Sequence, residues 1–126
     1  SKIKLMYFDY IVAKNNNQFL IEQIKEGIWK NMYQFPVYVS KSKKTKKEIV
    51  KFLSEKYQTK NLTINLIDSE FIKHKLSHIN IRSRFWLVEN KINVDEGIYV
   101  SSFKEYPMSK LMHKFIEKYT HELSIS

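Results

Sequence analysis

The sequence predicts an α+β fold, a mixed or antiparallel sheet with helices packed on it. Three observations carry that reading. Most apolar residues fall in short runs rich in Ile, Val, Tyr and Phe, which suit strands. Only two segments place apolar residues at helical spacing behind a capping residue. Just two Gly and two Pro occur in 126 residues, which leaves little chain for long flexible linkers.

Taken in order, Ile3 to Ala13 reads as a strand, Lys14 to Asn17 as a turn, and Gln18 to Ile24 as the returning strand of a hairpin. Glu26-Gly27 breaks that run. Phe35 to Val39 is extended, because the residue before Pro36 avoids helical geometry. Thr45 to Tyr57 is the first helix. Thr45 and Glu48 fit a capping box, and Ile49, Val50, Leu53 and Tyr57 share one face. Leu62 to Ile67 and Phe71 to Lys75 read as strands. Ile79 to Val88 is a longer one, with Ile79, Ile81, Ser83, Phe85 and Leu87 on one face. Asn80, Arg82, Arg84 and Trp86 then take the opposite face, read as the polar one. A short strand from Ile98 to Phe103 precedes Pro107 and a final helix capped by Ser109. Its buried stripe is Leu111, Met112, Phe115, Ile116 and Tyr119.

Composition narrows the function classes. Hydrophobic residues make up 43% and aromatics 14%, enough for one folded domain spanning residues 1–126. The absence of Cys excludes a disulfide framework, a cysteine nucleophile, a thiolate zinc site and a cysteine-held iron–sulfur cluster. No apolar run approaches the roughly 20 residues of a membrane span, so no membrane partner is expected. No signal peptide is evident, since Ser1-Lys2 leads straight into a strand pattern. The chain starts without Met and is expected to be a fragment of a longer protein. Lys and Arg total 22 against 13 Asp and Glu, a net charge of +9 that favours polyanions. A Lys-rich composition by itself produces the same excess.

The most informative stretch is His74-Lys75-Leu76-Ser77-His78-Ile79-Asn80-Ile81, a Ser-His pair on a connection between two strand-like runs. This segment resembles the Phe-Ser-His loop of the C-terminal domain of MutY-type adenine glycosylases, with Leu76 in place of the phenylalanine. Further stretches are similar to that domain in order and spacing. They are the hairpin from Tyr7 to Ile24, the run Gly27-Ile28-Trp29-Lys30-Asn31-Met32-Tyr33-Gln34-Phe35-Pro36, and Tyr106-Pro107-Met108-Ser109-Lys110-Leu111. The resemblance spans roughly residues 3 to 119.

The resemblance implies a Nudix-like α/β/α sandwich that reads 8-oxoguanine opposite adenine in base excision repair. The implied partners are double-stranded DNA carrying that mispair and a helical catalytic domain of the same polypeptide, which would hold the iron–sulfur cluster. The implied location is the cytoplasm, at the nucleoid. No cofactor is expected in this chain. Leu76, Ser77 and His78 are the expected lesion contacts, and Arg82 and Arg84 the expected phosphate contacts beside them. Trp29, Phe35 and Pro36 are read as packing. The run Lys41, Lys43, Lys44, Lys46 and Lys47 is a solvated surface or a phosphate-neutralising one.

Two alternatives remain: a degenerate Nudix-type nucleotide pyrophosphohydrolase, and a protein-interaction module. Against the first, the helix from Thr45 carries only Glu48 and Glu55, without the paired Glu-Glu and Arg of the hydrolase signature. His74 and His78 have zinc-like spacing but lie in strand-turn sequence with no intervening helical Glu. The few Asp residues give no Ser-His-Asp triad.

Overall fold

The computed structural model describes residues 2–125; Ser1, and with it the reading of the chain's start, lies outside them, as does Ser126. Ten elements follow in order: β1 (Lys4–Asn15), β2 (Gln18–Gln23), β3 (Tyr33–Gln34), β4 (Val37–Ser40), α1 (Lys46–Tyr57), β5 (Ile64–Leu66), β6 (Ile72–Lys75), β7 (Ile79–Val88), β8 (Ile98–Val100) and α2 (Lys110–Tyr119).

The spine of the sheet is a parallel pairing of β1 with β7, running from Lys4↔Ile79 to Ala13↔Val88. On its other edge, β1 takes β4 along Tyr7–Tyr10 and β2 at Lys14 and Asn15, both antiparallel. The free edge of β7 takes β6 along Asn80–Ser83 and β5 along Trp86–Val88. β2 extends the sheet to β3 and β8. The sheet is therefore mixed, as expected.

Over Asp9–Ala13 of β1 and Ser83–Trp86 of β7 both faces of the spine are buried, as in most parallel pairs. Tyr10, Val12, Ile81 and Phe85 pack against Leu111, Met112, Phe115 and Tyr119 of α2. Ile11, Ala13, Trp86 and Val88 pack against Ile49 and Leu53 of α1. The result is the α/β/α sandwich.

Local chemistry fixes both helix starts. The Thr45 hydroxyl accepts from Glu48 N at 3.2 Å, and Glu48 Oε1 accepts from Thr45 N at 3.1 Å, a complete capping box. The Thr45 backbone and side-chain hydrogen bonds hold the Glu48 carboxyl below its usual range. Ser109 Oγ caps α2 by accepting from Met112 N at 3.3 Å.

The structure corrects three readings. The two-residue β3 was not anticipated, because so short a strand has no periodicity and exists only through its pairing with Glu22 and Gln23. The last strand stops at Val100, short of Phe103. The face of Asn80, Arg82, Arg84 and Trp86 alternates as read, but it is not uniformly polar: α1 covers its Trp86 end. The packing role of Phe35 and Pro36 holds, since both are buried. Trp29 is half-buried against the α2-side core, and Gly27 enters its loop at φ +87, a left-handed geometry that favours glycine.

Candidate nucleic-acid interface

β6 and β7 form a hairpin whose connecting residues are Ser77 and His78. The last pair, Leu76 with Ile79, is closed by Leu76 N donating to Ile79 O at 2.8 Å. Neither connecting residue has a positive φ, so this is not one of the primed turns that prolong strand twist. Lys4 N donates to His78 O at 3.1 Å and ties the tip to the start of β1. Both Ser77 and His78 are exposed. Leu76 is half-buried against the α2-side core and anchors the tip from beneath.

The expected phosphate ligands separate. Arg82 is half-buried, between Tyr7 on β1 and Lys73 on β6 in register. Arg84 lies deeper. It is 4% exposed, with NH2 3.1 Å and Nε 3.2 Å from Asp9 Oδ1. Its NH2 also donates to Lys44 O at 2.6 Å, and its guanidinium lies over the rings of Phe71 and Trp86. Trp86 Nε1 donates to the same Asp9 oxygen at 2.9 Å. With Nε and Nη2 engaged, Arg84 braces the sheet from a buried position. A carboxylate 1% exposed inside the apolar run of β1 is the signal that foretells this pair, because a buried charge needs a partner.

Charge is segregated around the turn. Residues 2–8, 37–47 and 71–84 contain eleven of the 22 Lys and Arg and no Asp or Glu. Strand pairing joins β1 to β4 and β7, and β7 to β6, so these segments share one end of the sheet. Most cations there are exposed, including Lys4, Lys41, Lys43, Lys73 and Lys75. Cations at such density repel one another unless an anion intervenes, and their summed field attracts polyanions. Lys73 and Lys75 were not singled out from sequence; the acid-free stretch around them is the signal that finds them.

On the α2 side of the hairpin, His74 lies 6.1 Å from the Trp29 ring. Burial, then the charges of Lys114 and Lys110, push its pKa below the ordinary histidine value. Below about pH 6.5 the unfolded chain therefore binds more protons than the folded one, and stability falls as pH drops. Urea midpoints measured from pH 7.5 to 5.5 are expected to decline, and His74→Gln to flatten part of that decline. An unchanged slope in His74→Gln removes this assignment.

Among the described residues no three His, Cys, Asp or Glu side chains group to hold a metal. Glu48 is committed to the capping box, and Glu55 faces solvent. No helix of the described residues is long and apolar enough to cross a membrane.

Comparison with known proteins places these features. The adenine DNA glycosylase of Buchnera aphidicola subsp. Baizongia pistaciae (strain Bp) is 33% identical over 92 residues, covering 72% of this chain and 24% of that protein. The chain thus spans about a quarter of that relative. Among solved structures, the C-terminal domain of mouse MUTYH, in complex with human PCNA, superposes with a TM-score of 0.70 at 13% identity, covering 96% of this chain and 91% of that one. The MutT protein of Methanosarcina mazei Go1 superposes at 0.66 with 14% identity and covers 97% of each chain. At such identities these two show the shared fold, which agrees with the resemblance to the MutY C-terminal domain. The family model for the NUDIX domain matches residues 9–118, most of the chain and both helices, and this protein belongs to the NUDIX domain family.

Proposed function

We propose that this chain is the lesion-reading part of an A/G-specific adenine DNA glycosylase, binding duplex DNA with 8-oxoguanine opposite adenine. One observation carries the reading: an exposed Ser-His turn stands among segments that hold half of the chain's cations and no Asp or Glu of their own. Among the described residues only Arg84 and Lys44 of those cations are paired to a carboxylate, Asp9 and Glu48. The similarity to a glycosylase relative supports it. Adenine removal would belong to a helical, iron–sulfur-bearing domain of the same polypeptide, and the DNA would be that of the cytoplasmic nucleoid.

The chemistry follows from the lesion. Guanine N7 is an acceptor in the major groove. Oxidation places a hydrogen on N7 and a carbonyl on C8. A hydroxyl donates and accepts, so Ser77 accepts from N7–H while a backbone N–H of the turn donates to O8. Against guanine the same hydroxyl rotates and donates, which limits discrimination by Ser77 to on the order of 1–3 kcal/mol. His78 sits beside it to contact the neighbouring phosphate, and Arg82 supplies charge behind the turn. Leu76 offers an apolar edge without a ring to stack.

The test is a titration of labelled duplexes containing 8-oxoguanine:adenine or guanine:adenine. Ser77→Ala is expected to shrink the preference for the lesion by up to about tenfold, with a smaller loss of affinity for the undamaged mispair. Equal loss on both duplexes, or none on either, sinks the assignment. A pyrophosphohydrolase finds less support, since among the described residues no three His, Cys, Asp or Glu side chains group to hold a metal. Magnesium-dependent phosphate release from 8-oxo-dGTP, abolished by Glu55→Gln, would reinstate it.

A further inference from the structure

We propose that the open end of the α1-side sheet face is a subsite for an unpaired nucleotide. Its phosphate is held by Lys73, Lys75 and Arg82, and its base edge donates to Asn80. The proposal rests on the DNA-binding reading above and extends it from the turn onto the sheet.

Helix α1 covers only one end of this face, over Ile11, Ala13, Trp86 and Val88. At the other end, three adjacent strands set out two rows of side chains on the same side. One row is Leu5, Asn80 and Lys75; the next is Tyr7, Arg82 and Lys73. Lys73, Lys75, Asn80 and Arg82 line one concavity of about 240 Å³. Asn80 Oδ1 is buried there and has no hydrogen-bond partner. Such an acceptor is a standing cost that a ligand N–H relieves. Tyr7 is half-buried, with its ring 5.5 Å from Phe71 in an edge-on contact, and it offers a surface on which a base can stack.

Three cations and one unmet acceptor call for a ligand with an anionic group and an N–H together. Inorganic phosphate and simple carboxylates supply the anion but no N–H donor. A nucleotide supplies both, and its flat base suits Tyr7. A base still paired and stacked in a duplex keeps its edge inside the helix and does not reach a sheet face behind the turn. The subsite therefore takes a nucleotide that has left its stack.

The experiment uses the whole chain and three labelled oligonucleotides: a fully paired duplex, the same duplex with one unpaired purine nucleotide, and one with an abasic residue at that position. The unpaired purine is expected to bind about tenfold more tightly than the abasic site, and Asn80→Leu to erase that difference. Lys73→Gln with Lys75→Gln, both on exposed positions that leave the fold intact, should lower the slope of log Kd against log salt by about 1.5. An unchanged slope, a purine preference that survives Asn80→Leu, or equal competition by an acidic peptide overturns the proposal. The two readings fail separately. If Ser77→Ala abolishes lesion preference while the Asn80 and Lys variants do nothing, this subsite is wrong and the turn stands. The reverse pattern leaves the subsite and removes the lesion reading.

Discussion

Asp9→Ala is expected to cost about 3–5 kcal/mol of folding stability, because it leaves the Arg84 guanidinium buried without its counter-charge. One carboxylate oxygen of Asp9 serves Arg84 and Trp86, and Arg84 is 4% exposed. Whole domains hold only about 5–15 kcal/mol, so the variant should stand near its unfolding threshold at room temperature. The double variant Asp9→Leu with Arg84→Met separates the lost pair from a simple packing defect. Removing both charges together avoids the orphaned cation and should recover much of the loss. Urea denaturation of the three proteins gives the comparison. If the double variant is as unstable as Asp9→Ala, the pair is not what the single substitution breaks.

This pair reaches the proposed interface. Arg84 also donates to Lys44 O, so it ties the β1–β7 spine to the lysine-rich segment that leads into α1. Lys43 lies 5.9 Å from the Phe71 ring, the ring that shields one side of Arg84. Arg84 thus braces, from one layer down, the surface that carries the exposed lysines.

How far the sequence reaches is clear at particular residues. Thr45 with Glu48, and Ser109 before an apolar stripe, define helix starts by short-range hydrogen bonding, and both helices begin where those caps lie. The alternation along Ile79–Val88 is equally local, and every side chain takes the face assigned to it. What covers each face is not local. Whether Arg84 meets water depends on α1 packing across the sheet and on Asp9, seventy-five positions away. β3 escapes for the same reason, since its two residues are a strand only because β2 lies beside them. The turn at Ser77-His78 was legible from its motif. Its neighbours Tyr7, Asn80 and Lys73 become one surface only once the parallel register of β1 with β7 is known.

Phe115→Ala is expected to rank with Asp9→Ala in cost, by a different mechanism. Phe115 is fully buried. Its ring stacks on Phe85 with centroids 3.8 Å apart, meets Phe35 edge-on at 5.6 Å, and lies 5.0 Å from Tyr119. Truncation removes the buried ring and leaves a cavity walled by three other rings that cannot all shift into it. Phe→Ala at such sites costs about 3–5 kcal/mol, and the lost aromatic geometry is part of that. A melting temperature lower by on the order of 10–20 °C is the readout. Phe115→Leu refills most of the volume and should cost clearly less. Because Phe85 belongs to β7, the same stack fixes α2, with Lys110 and Lys114, against the strand that leaves the Ser77-His78 turn. Histidine ring signals of His74 should therefore shift in Phe115→Ala even below its melting point, since burial and then the α2 charges of Lys114 and Lys110 depress that imidazole. A loss under about 1 kcal/mol, with His74 unmoved, would show that α2 is held by its other contacts and that the aromatic stack is dispensable.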